Sequence, residues 1–279
     1  MKKIDTQENY QAFTASTQHT PVKKSRIAQW VSDEECVISG TSFFMAVDLE
    51  TIHAVNTSDD RFLLAKNRPL VEDIFKSADA QAAKNIVEIG IFKGGSVALY
   101  ALVYEPTKFV GIEYATKRIE ALDTFIAKRR LAESVRLHYG VDQSDRMRVQ
   151  KIIEEEFCGE PLDLVVDDGS HHYEKTKSSF ETIFPYLRSG GVFVVEDWGW
   201  AHWAGPIWQE SQAFPAEDPS MTNLLLEVCM LAASRPDIVS HVEVEPSIFR
   251  VTRGCGEIEP GFSLGDFYLN RGKPFVPVM

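Results

Sequence analysis

One stretch constrains this chain more than any other: Asn85-Ile86-Val87-Glu88-Ile89-Gly90, continued by Ile91-Phe92-Lys93-Gly94-Gly95-Ser96. An apolar, β-branched run that ends in an acid and a glycine reads as a buried parallel strand. The glycine pair then opens the apolar stretch 97–103, which reads as a helix entered through a tight turn. Strand, turn and helix in that order commit the surroundings to a parallel α/β sheet, because parallel neighbours need a crossover. At Gly90, Gly94 and Gly95 the missing Cβ atoms are expected to let a ligand lie against the main chain beside a helix N-terminus.

The pattern repeats from Lys84 onward. Strands are legible at 86–90, 108–113, 135–139, 162–167 and 192–196, and helices at 96–104, 117–127, 146–155, 173–187 and 222–234. Two further strands, 238–243 and 247–252, are separated by a short turn at Pro246 and read as an antiparallel hairpin. The expectation is an α/β, Rossmann-like, mostly parallel seven-stranded sheet with a C-terminal hairpin, not six parallel strands. Residues 84–279 would form this domain, and residues 1–83 an N-terminal arm and extension. The arm, to about residue 25, is polar and reads as mobile. Residues 26–83 read as a separate α/β preamble, with an apolar run at 43–47 and a helical pattern at 69–78. Within it, 62–70 reads as packing, a lid or a subunit contact, and carries no chemical signature.

Composition narrows the partners. A formal charge of −12 over 279 residues, with no basic stripe, argues against nucleic acid. Cys36, Cys158, Cys229 and Cys255 are scattered without a C-x-x-C pair, so buried reduced thiols in a cytoplasm are expected. The N-terminus lacks the apolar core of a signal peptide, and no stretch has membrane-spanning length. A soluble cytoplasmic homo-oligomer with a small-molecule partner is the resulting expectation.

Strand ends carry the chemistry. Phe92 stands where the G-x-G-x-x-G fingerprint has its second glycine, which disfavours a pyrophosphate. Glu113 closes the next strand about 20 residues beyond Gly90, a spacing suited to accepting from ribose hydroxyls. A ribose without a phosphate is the cofactor shape of S-adenosylmethionine (SAM). After the third strand, Asp142 and Ser144 either meet an adenine or cap the following helix. The fourth strand ends in Asp167-Asp168-Gly169-Ser170-His171-His172 and the fifth in Glu196-Asp197. Carboxylates crowded this way repel unless protons or a cation neutralise them, and oxygen-only ligands suit magnesium. The structural alternative is that one acid of each pair caps a helix.

The run Glu88-Ile89-Gly90-x-x-x-Gly94-Gly95-Ser96, with Asp167-Asp168-Gly169-Ser170-His171 and Glu196-Asp197, resembles a group of class I SAM-dependent methyltransferases. This is the macrocin O-methyltransferase and cephalosporin hydroxylase-like family, and the resemblance covers roughly 84–253. It implies a class I methyltransferase fold and methylation of hydroxyls on sugar-containing natural products, with SAM and a hard divalent cation. It implies Asp168, Glu196 and Asp197 as metal ligands, and His171, beside Asp168, as the general base. Glu88, Gly90, Phe92, Gly94, Gly95, Ser96, Glu113, Asp142, Ser144 and Asp167 would line the cofactor site. His172 would point elsewhere, capping the helix that follows. Four of the five tryptophans fall within 198–208, a departure from the family pattern that reads either as an acceptor wall or as packing. A nicotinamide oxidoreductase and a non-catalytic binding module of the same fold are the competing readings.

Overall fold

The computed structural model describes residues 28–80, 83–215 and 217–278. The expected N-terminal arm lies outside the described residues. The chain opens with β1 (Gln29–Trp30), β2 (Glu35–Ile38), β3 (Thr41–Met45), α1 (Leu49–Ala54), β4 (Arg61–Leu64) and α2 (Arg68–Ala80). β1 to β3 pair antiparallel, and β4 adds parallel to β3. Alternation along β3 buries Thr41, Phe43 and Met45, giving this small sheet one buried face.

The large unit follows with β5 (Asn85–Ile89), α3 (Gly95–Tyr104), β6 (Lys108–Glu113), α4 (Glu120–Arg129), β7 (Val135–Tyr139), α5 (Arg146–Phe157) and β8 (Leu162–Asp167). It continues with α6 (Tyr173–Ile183), β9 (Leu187–Glu196), α7 (Pro206–Gln209), α8 (Thr222–Ser234), β10 (Val239–Val244), β11 (Ile248–Arg253) and α9 (Leu264–Phe267). The sheet order is β10-β11-β9-β8-β5-β6-β7. β5 to β9 run parallel and β11 is antiparallel to both its neighbours, so the expected closing hairpin is present. Most boundaries fall within three residues of the sequence reading, and two differ by more. α6 stops at Ile183 and gives way to a 3-10 turn at Phe184–Tyr186, because Pro185 cannot donate to an α-helical ladder. β9 starts at Leu187, and the extra length passes through Gly190 (φ 75°) and a register shift opposite Leu162 and Leu164.

Side-chain alternation sorts the core into two layers. Val87, Ile89, Val165, Phe193 and Val195 face α5, α6 and α8. Ile86, Leu164, Val166 and Val192 face α3 and α4, and the small sheet shares that second layer. Phe62 stacks on Phe43 and meets Phe125 of α4 edge-on, at 6.1 and 5.3 Å between ring centres. Residues 28–80 are therefore continuous with the main core rather than a separate preamble. Each such fully buried ring or leucine is worth about 1.5–3 kcal/mol, so a few of them rival the stability of a whole domain. Polar ties reinforce the seam: Lys93 Nζ donates to the Ile52 and Val55 carbonyls at the end of α1, at 2.6 and 2.8 Å. The four thiols are unpaired as expected, but only Cys36 is buried; Cys158, Cys229 and Cys255 are exposed. Among the described residues, no helix is long and apolar enough to cross a membrane.

Candidate active site

β6 and β7 extend the sheet to one side of β5, and the chain then returns to lay β8 on the other. Outside the strand ends at such a reversal, open α/β sheets form the crevice that binds ligands. Gly90 and Asp168 meet there. The Asp168 amide donates to the Ile89 carbonyl at 2.9 Å, and a Cβ on Gly90 would stand 2.1 Å from the Asp168 carbonyl oxygen. A Cβ on Gly95 would stand 1.9 Å from the Leu63 carbonyl oxygen, and one on Gly94 2.9 Å from Leu122. The Cβ positions at these glycines are thus filled by the protein, because β4, α4 and the turn after β8 pack directly on the loop.

Glu113 shapes the same loop. Its Oε2 accepts from the Ile91 and Phe92 amides at 3.0 Å each, and its Oε1 from the Ala115 amide at 2.8 Å. Phe92 is held there with φ 43° and half of its surface exposed. A carboxylate offers about four acceptor sites, so Glu113 retains capacity for a further donor. Glu88 is fully buried, and neither of its carboxylate oxygens has a hydrogen-bond partner. Burial pushes it up to about 8, with the Lys66 charge offsetting only part.

Asp142 and Ser144 occupy the turn before α5. Asp142 Oδ1 accepts from the Ser144 amide at 2.9 Å and hydroxyl at 2.7 Å, and its Oδ2 takes Lys175 at 3.0 Å. The Ser144 amide holds Asp142 below its usual range. Asp167 points into the layer of α6, bonded to the Ser179 hydroxyl and, at 3.2 Å, to Gln143 Nε2. Burial pushes it up to about 6 against those bonds. Gln143, given no role from sequence, also accepts from the Ser170 amide at 2.8 Å and so braces the turn 167–171.

Three side chains converge at the mouth of the crevice. One ligand atom from each of Asp168, His171 and Asp197 lies within 4.8 Å of the others, all on half-buried residues. His171 Nε2 is 3.9 Å from Asp168 Oδ1. Burial raises Asp197, and the His171 charge works against that rise. The two carboxylates at this separation fit a divalent cation that keeps waters, and the imidazole either joins them or stands beside it. His171 (φ 56°) and Asp197 (φ 53°) are both left-handed non-glycine residues, a cost of about 1–3 kcal/mol each that neighbouring contacts must hold. One such contact is Trp200, whose Nε1 donates to the His171 carbonyl at 2.8 Å.

Glu196 is drawn away from this trio. Alternation along β9 turns it, with Val192 and Val194, into the layer shared with residues 28–80. There it meets Lys66, from the loop after β4. Lys66 Nζ lies 2.5 Å from Glu196 Oε2 and 2.9 Å from Asp168 Oδ2, with 3% of its side chain exposed. Burial works against the Lys66 charge, but Asp168 and Glu196 outweigh it and hold the ammonium well above the ordinary lysine value. The segment read as free of chemistry therefore supplies a charge to the acid cluster. Its one sequence cue was a lysine closing the apolar run Phe62-Leu63-Leu64-Ala65. Behind Glu196, beneath α2, lies a cavity of about 210 Å³ that Tyr100, Tyr104 and Arg250 help to line.

His172 faces away, its Nδ1 3.5 Å from Asp218 Oδ2 and its ring 5.8 Å from that of Phe214. It occupies the N-cap position of α6 without a side-chain capping bond, contrary to expectation. The tryptophans pack largely on neighbouring rings. Trp200 is buried and stacks on Phe214 at 4.4 Å, Trp208 meets Trp203 edge-on at 5.0 Å, and Trp198 donates to the Glu245 carbonyl.

Residues 87–198 match a family model described as a methyltransferase domain. Demethylmacrocin O-methyltransferase of Streptomyces fradiae is 49% identical over 45 residues, 16% of this chain and 11% of that protein. A tetracenomycin-C 3'-O-methyltransferase of Streptomyces olivaceus, whose substrate name specifies a methoxy-rhamnosyl group, is 29% identical over 157 residues, 54% of this chain and 36% of that protein. The chain thus spans well under half of these curated relatives. The MycE methyltransferase of mycinamycin biosynthesis, solved with Mg and SAH, superposes with a TM-score of 0.51 at 22% identity, over 67% of this chain and 48% of that one. That likeness establishes the fold.

Proposed function

We propose, on the premise that residues 87–198 are a methyltransferase domain, that this chain is a SAM-dependent O-methyltransferase for a hydroxyl on a small, sugar-containing natural product, aided by a divalent cation. The convergence of Asp168, His171 and Asp197 beside the Gly90 turn carries the reading. The relatives' names, which specify O-methylation and, for the tetracenomycin-C enzyme, a rhamnosyl group, support it. SAM supplies an electrophilic methyl group, and a divalent cation supplies positive charge that lowers the pKa of a hydroxyl. Asp168 and Asp197 would hold the cation, while Glu196 pairs with Lys66 behind them. Glu113 would accept from the ribose hydroxyls, and Glu88, orphaned two residues before Gly90, would face the cofactor's polar end. His171 would take the acceptor proton through Nε2 while the hydroxyl oxygen gains the methyl group. Asp168 Oδ1, 3.9 Å away, would steady the imidazolium so formed. A cytoplasmic setting and a homo-oligomeric state go with this reading.

Calorimetric titration with SAM and with NADH, each with and without Mg2+, tests the cofactor: SAM should bind and NADH should not. Turnover of a glycosylated macrolide panel should disappear after EDTA treatment and return with Mg2+. Full activity after exhaustive chelation would reject the cation. His171→Ala should lose about 10²–10⁴ in kcat with SAM binding retained. His172→Ala, directed at Asp218 and Phe214, should stay within about tenfold; the reverse order would reject the base assignment.

A further inference from the structure

The geometry points to Lys66 as a cation built into the acid cluster: a positioning residue that bridges Asp168 and Glu196 and competes with a divalent cation for them. It rests on the reading that a divalent cation occupies the cluster. Lys66 lies outside the matched domain and reaches the cluster from residues 28–80. Both flanks of its loop are fixed. The Ala46 amide bonds the Leu64 carbonyl at 3.0 Å, the Leu63 carbonyl is seated on Gly95, and Asn67 Oδ1 accepts from the Leu70 amide at 3.0 Å as α2 begins. The ammonium is therefore delivered by packing rather than by a free surface side chain.

Its contacts divide Asp168 between two sides. Oδ2 faces Lys66, while Oδ1 faces His171. Any cation on the His171 side shares this carboxylate with the ammonium, and two like charges around one carboxylate repel, more strongly out of water. The ammonium also occupies Glu196 on the neighbouring strand end, whose charge would otherwise add to the pull on the same cation. The cluster so arranged has the ammonium offset one of the two charges on Asp168 and Glu196 before any cation arrives, which lessens the repulsion between buried like charges. It also makes cation binding weaker and more readily reversed than the acids alone would dictate.

Mn2+ affinity, read by electron paramagnetic resonance on the full chain, tests this without recourse to turnover. Lys66→Met should bind Mn2+ tenfold or more tighter than the native protein, and Lys66→Arg, which keeps the charge, should stay within threefold. Adding Glu196→Gln to Lys66→Met should take the gain back. Lys66→Gln, which still hydrogen-bonds both acids without a charge, should tighten Mn2+ likewise if the methionine variant does not fold. A folded neutral variant with unchanged or weaker Mn2+ binding overturns the inference, as does tightening in Lys66→Arg. Asp197→Asn separates the two readings. If native protein binds Mn2+, Asp197→Asn abolishes it and the neutral variants leave it unchanged, the Lys66 inference alone falls. If neither native nor neutral variants bind Mn2+, the cation reading falls and takes this inference with it.

Discussion

Trp200 does two jobs that are separable by substitution. Its ring stacks on Phe214, and its Nε1 holds the carbonyl of His171, a residue whose backbone sits in a costly left-handed conformation. Trp200→Phe keeps a ring and removes the donor. One net hydrogen bond is worth about 0.5–1.5 kcal/mol, so melting should fall by only a few degrees. The imidazole should lose its fixed direction, with kcat lowered roughly tenfold and SAM affinity unchanged. Equal kcat in the two proteins would mean that the turn holds its shape without the indole. The tryptophan stretch was legible as a concentration of rings, but its use was not. Composition cannot tell a ring that faces a ligand from one whose N–H pins a neighbouring backbone.

Among the elements, the contact of α3 with β4 depends on one absent atom. A Cβ at Gly95 would stand 1.9 Å from the Leu63 carbonyl oxygen, and backbone cannot swing aside as a side chain can. Gly95→Ala should therefore cost about 1–3 kcal/mol or more, read as a shift of the urea midpoint. Gly159→Ala is the control: its Cβ would meet nothing within 4 Å, leaving only the strain of its φ of 86°. The elements of the large sheet were readable because buried parallel strands and amphipathic helices impose different periods on the sequence. β6, β7, β8 and α8 lie where the sequence placed them. The small sheet escaped, since β1 and β2 are short and pair with partners close in sequence but bury their face against α3 and α4, far along the chain. For the same reason Asp168 and His171 could be read as a pair from spacing alone, whereas Lys66, 102 residues from Asp168, could not.

For the molecule as a whole, acid burial sets how stability responds to pH. Glu88 titrates near 8 when folded and near 4.5 when exposed. Between those values the folded state binds more protons than the unfolded one, so stability present below about pH 4.5 is withdrawn as pH rises toward 8. Each unit in that window removes up to about 1.4 kcal/mol. Metal-free protein should melt higher at pH 6 than at pH 8, and Glu88→Gln should flatten the difference. A melting temperature that rises with pH over this range would contradict the assignment.

The bridge from Lys66 to Asp168 and Glu196 spans 102 and 130 residues of chain. Closing loops of that length comes late, after local contacts have formed. During synthesis Lys66 leaves the ribosome well before either acid exists, so the small sheet waits for β8 and β9 before its lysine finds its partners. A nascent or refolding chain that has its sheet but not yet its lysine then presents the acids of β8 and β9 without the competing ammonium, and should take a cation more readily than the finished molecule.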